Sequence, residues 1–420
     1  MPSTIHSKLI YRALRVWGKS VVPLQAMVRQ RKIARSTGAK RLELIADDAW
    51  QRGDGLAAAA SWRELERLQP GSAAWPLKIA RVERERGAFE AAQSTLLDAR
   101  ARGIAGEGID LALLRDSRML YRSNAGVAEA EAIVADPAAS AENLFHSSFY
   151  LMAHNSLESA RAGLGRIAAA PHYRHLTRGY LAAIDRIADR RAKGHPDIPG
   201  WLSTAQNSVV VREPPSDTLV VGFVLPIGAL GLPVNALHAM LSSTGVNALY
   251  LYDSRQLHHL AGTDRFGPGY DRMIDGIRAY AAELGVRRVI TLGGSATGYT
   301  AIRAAMDLDA QGALVFSPAA MMRADANPVL ARGAFTYTRL KAEILPMMQD
   351  LRPLLAKRKQ GPRVDAYYSA SNRRDLMHVG HLAGLPDVHL HAIKELRRHD
   401  SLTEMAARGY RNLLRTFAGR

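Results

Sequence analysis

The run Arg288-Val289-Ile290-Thr291-Leu292-Gly293-Gly294-Ser295-Ala296-Thr297-Gly298-Tyr299 constrains this chain more than any other stretch. A β-branched, apolar segment meets a glycine pair and a serine, then the helix-forming Ala301-Ile302-Arg303-Ala304-Ala305-Met306. A strand that turns sharply into a helix lifts the residue at the turn clear of the sheet. Such a turn is strained, so its neighbours must be small. Gly293, Gly294 and Gly298 supply an elbow of that kind, with Ser295 at its tip. The same serine also reads as a helix N-cap or part of an anion site. The stretch lacks the lysine of a phosphate-binding loop.

From residue 218 onward the pattern alternates. Strands are predicted at 219–225, 248–252, 288–292, 313–317, 364–369 and 388–392, with helices at 233–243, 270–284, 298–308, 338–358, 375–384 and 401–417. Near-continuous apolar strands separated by helices predict an α/β architecture, a mostly parallel sheet covered on both faces. In such sheets chemistry gathers at the carboxyl ends of the strands. Ser295, Asp375 and His399 all fall just past strands, in that order. Asp375 also suits a cap of the helix beginning near Asn372. Asp253, in Asp253-Ser254-Arg255, is a rival acid or a buried loop anchor. His389 and His391 lie within a strand and are poorer partners for Ser295 than His399.

These residues carry a resemblance to the α/β-hydrolase superfamily over 218–420: the elbow, Ser317-Pro318 after the next strand, an acid after the penultimate strand, and His399-Asp400 before the last helix. The resemblance implies that Ser295 is a nucleophile, His399 its base, and Asp375 the group that orients and stabilises the imidazole. It implies an oxyanion hole made by the backbone N–H of Ala296 and a second donor from Pro226-Ile227-Gly228-Ala229, at Ile227 or Gly228. The family's Gly-x-Ser-x-Gly pattern is broken, because Thr297 stands where the second glycine belongs and Gly298 follows one place later. Residues 319–362, with Met321-Met322, Phe335, Tyr337 and Met347-Met348, read as an apolar lid or as a long crossover.

Residues 41–192 are rich in Ala, Leu, Glu and Arg and read as all-helical. Gly53, Ala58, Trp62 and Leu65 find counterparts in Gly87, Ala92, Leu96 and Ala99, each 34 residues later. That spacing resembles a tetratricopeptide (TPR) solenoid. A degenerate third unit is expected through Ala128-Glu129-Ala130-Glu131-Ala132. The resemblance implies a protein partner on a concave surface; a helical cap with no ligand of its own is the other reading. The Pro- and Gly-punctuated 193–217 reads as a linker, with Val209-Val210-Val211 as one added edge strand. The expected division is an arm at 1–40, a TPR-like domain at 41–192, the linker, and an α/β-hydrolase-like domain at 218–420.

The net charge of +17 is uneven. Residues 1–42 hold ten Lys or Arg and no acid, which leaves +7 on the rest. The high charge therefore belongs partly to the arm, and a nucleic-acid partner is not expected. On a helix over 5–21, Lys8, Arg12, Arg15 and Lys19 share an arc of about 60°, and Ile5, Leu9, Ala13, Val16, Trp17 and Val21 fall outside it. Such a face suits an anionic membrane surface, a partner, or docking on the protein's own body. The chain has no cysteine, so disulfides and thiolate zinc sites are excluded. His378-x-x-His381, His389-x-His391 and His258-His259 read as packed or solvated histidines, so neither a metal nor a cofactor is expected. No apolar run is long enough to span a bilayer, and a cytoplasmic place, with the inner membrane surface as an alternative, is the expectation.

Three functions remain open on the sequence. The first is a serine hydrolase cleaving an ester or related acyl bond, an acylated glycan being one substrate suggested by resemblance to bacterial hydrolases of that kind. Arg323, Arg332, Arg373 and Arg374 point to an anionic or polyhydroxylated substrate. The second is an inactive hydrolase-fold scaffold assembled through the helical repeats. The third is an acyltransferase using the same residues.

Overall fold

The computed structural model describes residues 27–113, 126–202, 208–211, 216–225, 230–321 and 347–401, apart from positions 53, 87, 105, 107, 172, 243, 256, 359, 395, 397, 398 and 400. The basic arm over 5–21, most of the 319–362 segment and all but the first residue of the helix expected at 401–417 lie outside them. Packing divides the described chain near residue 130 into two compact units.

The smaller unit is helical. Helices α1 (Gly38–Gln51) and α2 (Gly55–Leu68) form one antiparallel pair, and α3 (Ala74–Glu85) and α4 (Phe89–Ala101) form the next. Ala58 and Ala92 are both fully buried, and Trp62 and Leu96 fill equivalent places one turn on. The 34-residue pattern in the sequence is thus a repeat of buried positions. Asp54 caps α2 by accepting the Ala57 N–H at 3.0 Å. Buried Asp48 accepts from Arg29 Nε at 3.1 Å, Gln30 Nε2 at 2.8 Å and Arg52 Nε at 3.0 Å, which satisfies a charge that burial alone would penalise.

The larger unit begins with helices α5 (Val127–Ala135, from its Ala130 onward), α6 (Ala141–Ala153), α7 (Leu157–Ile167) and α8 (Arg174–Ala192), and continues into a seven-stranded sheet. The strands are β1 (Ser208–Val211), β2 (Thr218–Phe223), β3 (Asn247–Leu251), β6 (Arg288–Gly294), β7 (Gly312–Phe316), β8 (Arg363–Ser369) and β9 (Val388–Ile393). A separate two-residue hairpin pairs β4 (Gly262–Thr263) with β5 (Gly267–Pro268). The sheet order is β1-β3-β2-β6-β7-β8-β9. Only β1, at the edge, is antiparallel; every other pairing is parallel. Every residue of β2, β3 and β7 is buried, as strands covered on both faces require.

Helices α9 (Val234–Ser242), α10 (Tyr270–Glu283), α11 (Ser295–Asp307), α12 (Leu351–Ala356) and α13 (Arg373–Leu382) lie between the strands in sequence. The segment expected at 193–217 marks the change from helix to sheet, whereas the division by packing falls near residue 130. The physical reason is local. Asn235, on α9, donates to the Met152 carbonyl and to Asn155 Oδ1, both at 2.9 Å. A Cβ on Gly200 would lie 2.2 Å from the Ala153 carbonyl oxygen, so only glycine lets the chain pass α6 there. Among the described residues, no helix is long and apolar enough to cross a membrane.

Candidate active site

Strand β6 ends at Gly294 and α11 starts at Ser295 with no intervening loop. Ser295 takes the whole change of direction, at φ +51°. That left-handed conformation costs an L-residue about 1–2 kcal/mol. The glycines divide the work unevenly. A Cβ on Gly293 would stand 2.4 Å from the Thr297 carbonyl oxygen and 2.9 Å from Ala301 Cβ, and one on Gly298 would stand 2.8 Å from Pro318 Cβ. At Gly294 the nearest atom would be 3.8 Å away, so that position tolerates a side chain.

Thr297 is accommodated because the close approach uses its backbone. Its buried hydroxyl donates to the Gly294 carbonyl at 3.0 Å and accepts the Gly294 N–H at 3.2 Å, closing the turn on itself. The departure from the usual motif therefore moves the tight-packing requirement from Thr297 to Gly298.

Three strands deliver three side chains to one place. Ser295 Oγ lies 2.8 Å from His399 Nε2. His399 Nδ1 donates to Asp375 Oδ1. A carboxylate only accepts, so Nδ1 carries the ring proton and Nε2 of the neutral ring is left to accept from the serine. Asp375 is fully buried. Its other oxygen accepts Ser317 Oγ–H at 2.6 Å and the Ser369 N–H at 3.0 Å. The cap of α13 falls to Asn372, whose Oδ1 accepts the N–H groups of Arg374 and Asp375 at 3.0 and 3.2 Å, which leaves the Asp375 side chain free of that role. Backbone ties fix the assembly: Ala319 N–H donates to the Ser295 carbonyl at 2.8 Å, and Ser317 N–H to the Tyr367 carbonyl at 2.7 Å.

The other candidates sit apart from this group. Asp253 accepts the N–H groups of Arg255, Leu257 and His259 at 3.1, 2.7 and 3.0 Å and anchors the loop after β3. His391 Nε2 contacts Asp365 Oδ1 at 2.7 Å, and His381 Nε2 contacts Asp350 Oδ1 at 2.5 Å. His378 Nδ1 accepts the Ala320 N–H at 3.2 Å, so the two histidines of the His-x-x-His step serve different partners. His259 Nε2 donates to the Val224 carbonyl at 2.8 Å, and the His258 carbonyl accepts Thr300 Oγ1 at 2.5 Å. Burial pushes His258 down to about 4 and His378 down to about 3, so both are neutral at pH 7. Ala296 is buried in the first turn of α11. Ile227 and Gly228, expected to complete the oxyanion hole, lie outside the described residues, as does Asp400.

Sequence reasoning missed Ser317 and Ser369, which bond Asp375, and Ser401, which contacts Ser317. Ser317-Pro318 was visible as a motif, but nothing in the sequence aims its hydroxyl at a residue 58 positions away.

No family model matches this chain, and no curated protein sequence matches it. Among solved structures, MGS-MChE2, an α/β hydrolase enzyme from the metagenome of sediments from the lagoon of Mar Chica, Morocco, is similar at 15% identity. The match covers 50% of this chain and 94% of that one, with a TM-score of 0.32. DphMB1 is similar at 17% identity over 56% of this chain and 91% of its own, also with a TM-score of 0.32. Overlap this low adds nothing to the topology and geometry above. Those by themselves make the C-terminal part α/β-hydrolase-like: a mostly parallel sheet, a serine turn from β6 into a helix, then an acid and a histidine past later strands.

Proposed function

We propose that this protein is a serine hydrolase acting on an ester or related acyl bond. One observation carries the reading: a serine held at a left-handed turn lies 2.8 Å from an imidazole whose other nitrogen is fixed by a buried carboxylate. His399 removes the Ser295 proton as Oγ attacks the acyl carbon. Asp375 holds the tautomer and stabilises the imidazolium that forms. The oxyanion develops beside the N-terminus of α11, where the Ala296 N–H donates to it, with Ile227 or Gly228 as the second donor. His399 then returns the proton to the leaving group and activates water to release the acyl-enzyme. No step calls for a cofactor. An acylated glycan is the substrate class to try first after simple esters.

The repeated burial of Ala58 with Ala92 and Trp62 with Leu96 supports a TPR-like reading of the helical unit, and with it a protein partner. The test of the catalytic reading is hydrolysis of a panel of activated acyl esters by the purified chain, beside Ser295→Ala. Turnover abolished by the substitution supports the reading. Turnover equal in both proteins overturns it.

A further inference from the structure

The triad acid has a second serine behind it. Ser317 follows β7 at φ +46°, and the next residue is Pro318. A residue before proline is pushed toward extended backbone, so this conformation is strained twice over. Ser317 is buried, and its hydroxyl lies 2.6 Å from Asp375 Oδ2. It also lies 3.0 Å from Ser401 Oγ, which in turn is 3.1 Å from the Tyr367 carbonyl.

The protons can be assigned. A hydroxyl has one hydrogen, and an ionised carboxylate has none to give. Ser317 therefore donates to Asp375, and the contact with Ser401 is a hydrogen bond only when Ser401 donates to Ser317. Ser401 has one hydrogen and two acceptors in reach, Ser317 Oγ and the Tyr367 carbonyl, so the bond that is fixed is the one from Ser317 to Asp375. It ends on the oxygen of Asp375 that His399 does not use. A strained conformation that persists at a buried polar residue points to a role beyond packing.

We propose that Ser317 is a positioning residue for the triad: its hydroxyl fixes the rotation of the Asp375 carboxylate, so that Oδ1 faces His399 Nδ1. This rests on the hydrolase reading above. Ser369 N–H shares Oδ2 but comes from the backbone of β8, so Ser317 is the donor that a side-chain substitution removes. Losing a hydrogen bond to a charged acceptor should slow the chemical step about ten- to a hundredfold.

The experiment is the kinetics of fluorophosphonate labelling of the purified full chain as wild type, Ser317→Ala, Ser317→Gly and Ser295→Ala, with a thermal melt of each. Glycine removes the hydroxyl and also relieves the positive φ; alanine removes only the hydroxyl. The expected result is a limiting labelling rate about ten- to a hundredfold lower in both Ser317 variants. Half-saturating probe concentration should be unchanged, labelling should still reach one adduct per chain, and the glycine variant should melt at or above the alanine variant. Wild-type rates in both folded variants would overturn the role of Ser317 alone. So would a lowered end point at the wild-type rate, which marks lost folded protein, or a rate that recovers in the glycine variant. A wild type that takes no label at Ser295 would instead overturn the hydrolase reading, and this role with it.

Discussion

Substituting Gly293 by alanine should damage the site far more than the same change one residue later. A Cβ on Gly293 would sit 2.4 Å from the Thr297 carbonyl oxygen and 2.8 Å from its carbonyl carbon. Ordinary contact begins near 3.4 Å, so the first turn of α11 must retreat by about 1 Å. The obstacle is backbone, which cannot rotate away. A retreat of that size directed away from His399 would carry Ser295 Oγ from 2.8 Å to nearly 4 Å from Nε2, beyond hydrogen-bond reach. Misplacement by about 1 Å costs about a hundredfold in rate, and overpacking costs about 1–3 kcal/mol in stability. At Gly294 the nearest atom is 3.8 Å from the added Cβ and the backbone is extended at φ −129°, so Gly294→Ala should be neutral or slightly stabilising. Fluorophosphonate labelling rates and urea midpoints of both variants make the assay. Equal labelling by Gly293→Ala and Gly294→Ala would refute the geometry of the turn.

Restoring the common motif by Thr297→Gly should not raise activity. It removes two hydrogen bonds and adds backbone freedom, and should lower stability by about 2 kcal/mol in a urea melt. The two candidate acids, Asp253 and Asp375, should separate cleanly. Asp253→Asn should destabilise the fold by about 1–3 kcal/mol while folded protein labels at the wild-type rate, whereas Asp375→Asn should slow labelling about a thousandfold or more. Burial holds His378 and His238 at about 3 and His258 at about 4, against 6.5 when exposed. The unfolded chain therefore binds more protons below pH 6.5, and stability should fall with pH from there down through the folded values. Each group contributes up to about 1.4 kcal/mol per pH unit in that window. Urea midpoints measured from pH 7 to 5 check this, and His378→Gln should flatten the slope.

The elbow and the order Ser, Asp, His were legible because each depends on a short local pattern and on the rule that chemistry sits past strand ends. Val209-Val210-Val211 was legible as an edge strand for a similar reason, and it pairs antiparallel with β3. Helix α11 starts at Ser295 rather than at 298 as the glycines suggested, because backbone bonds and Thr297 Oγ1 close the first turn that composition alone would open. Thr297 looked like a defect because a motif records residue types and not which atoms come close. The hairpin at 262–268 is too short for a periodic signal. Ser317 and Ser401 were illegible because their contacts join residues 58 and 84 positions apart, and only the parallel sheet brings those loops together.

The proposed hydrolase chemistry requires that Ser295 be a nucleophile activated by His399. Labelling with a fluorophosphonate, mapped to its residue by mass spectrometry in the wild type, Ser295→Ala and His399→Ala, tests it most directly. The expected result is one adduct per chain, on Ser295, absent from the first variant and slowed by orders of magnitude in the second. A folded wild type that takes no adduct, or an adduct on Ser295 that forms equally fast without His399, would contradict it.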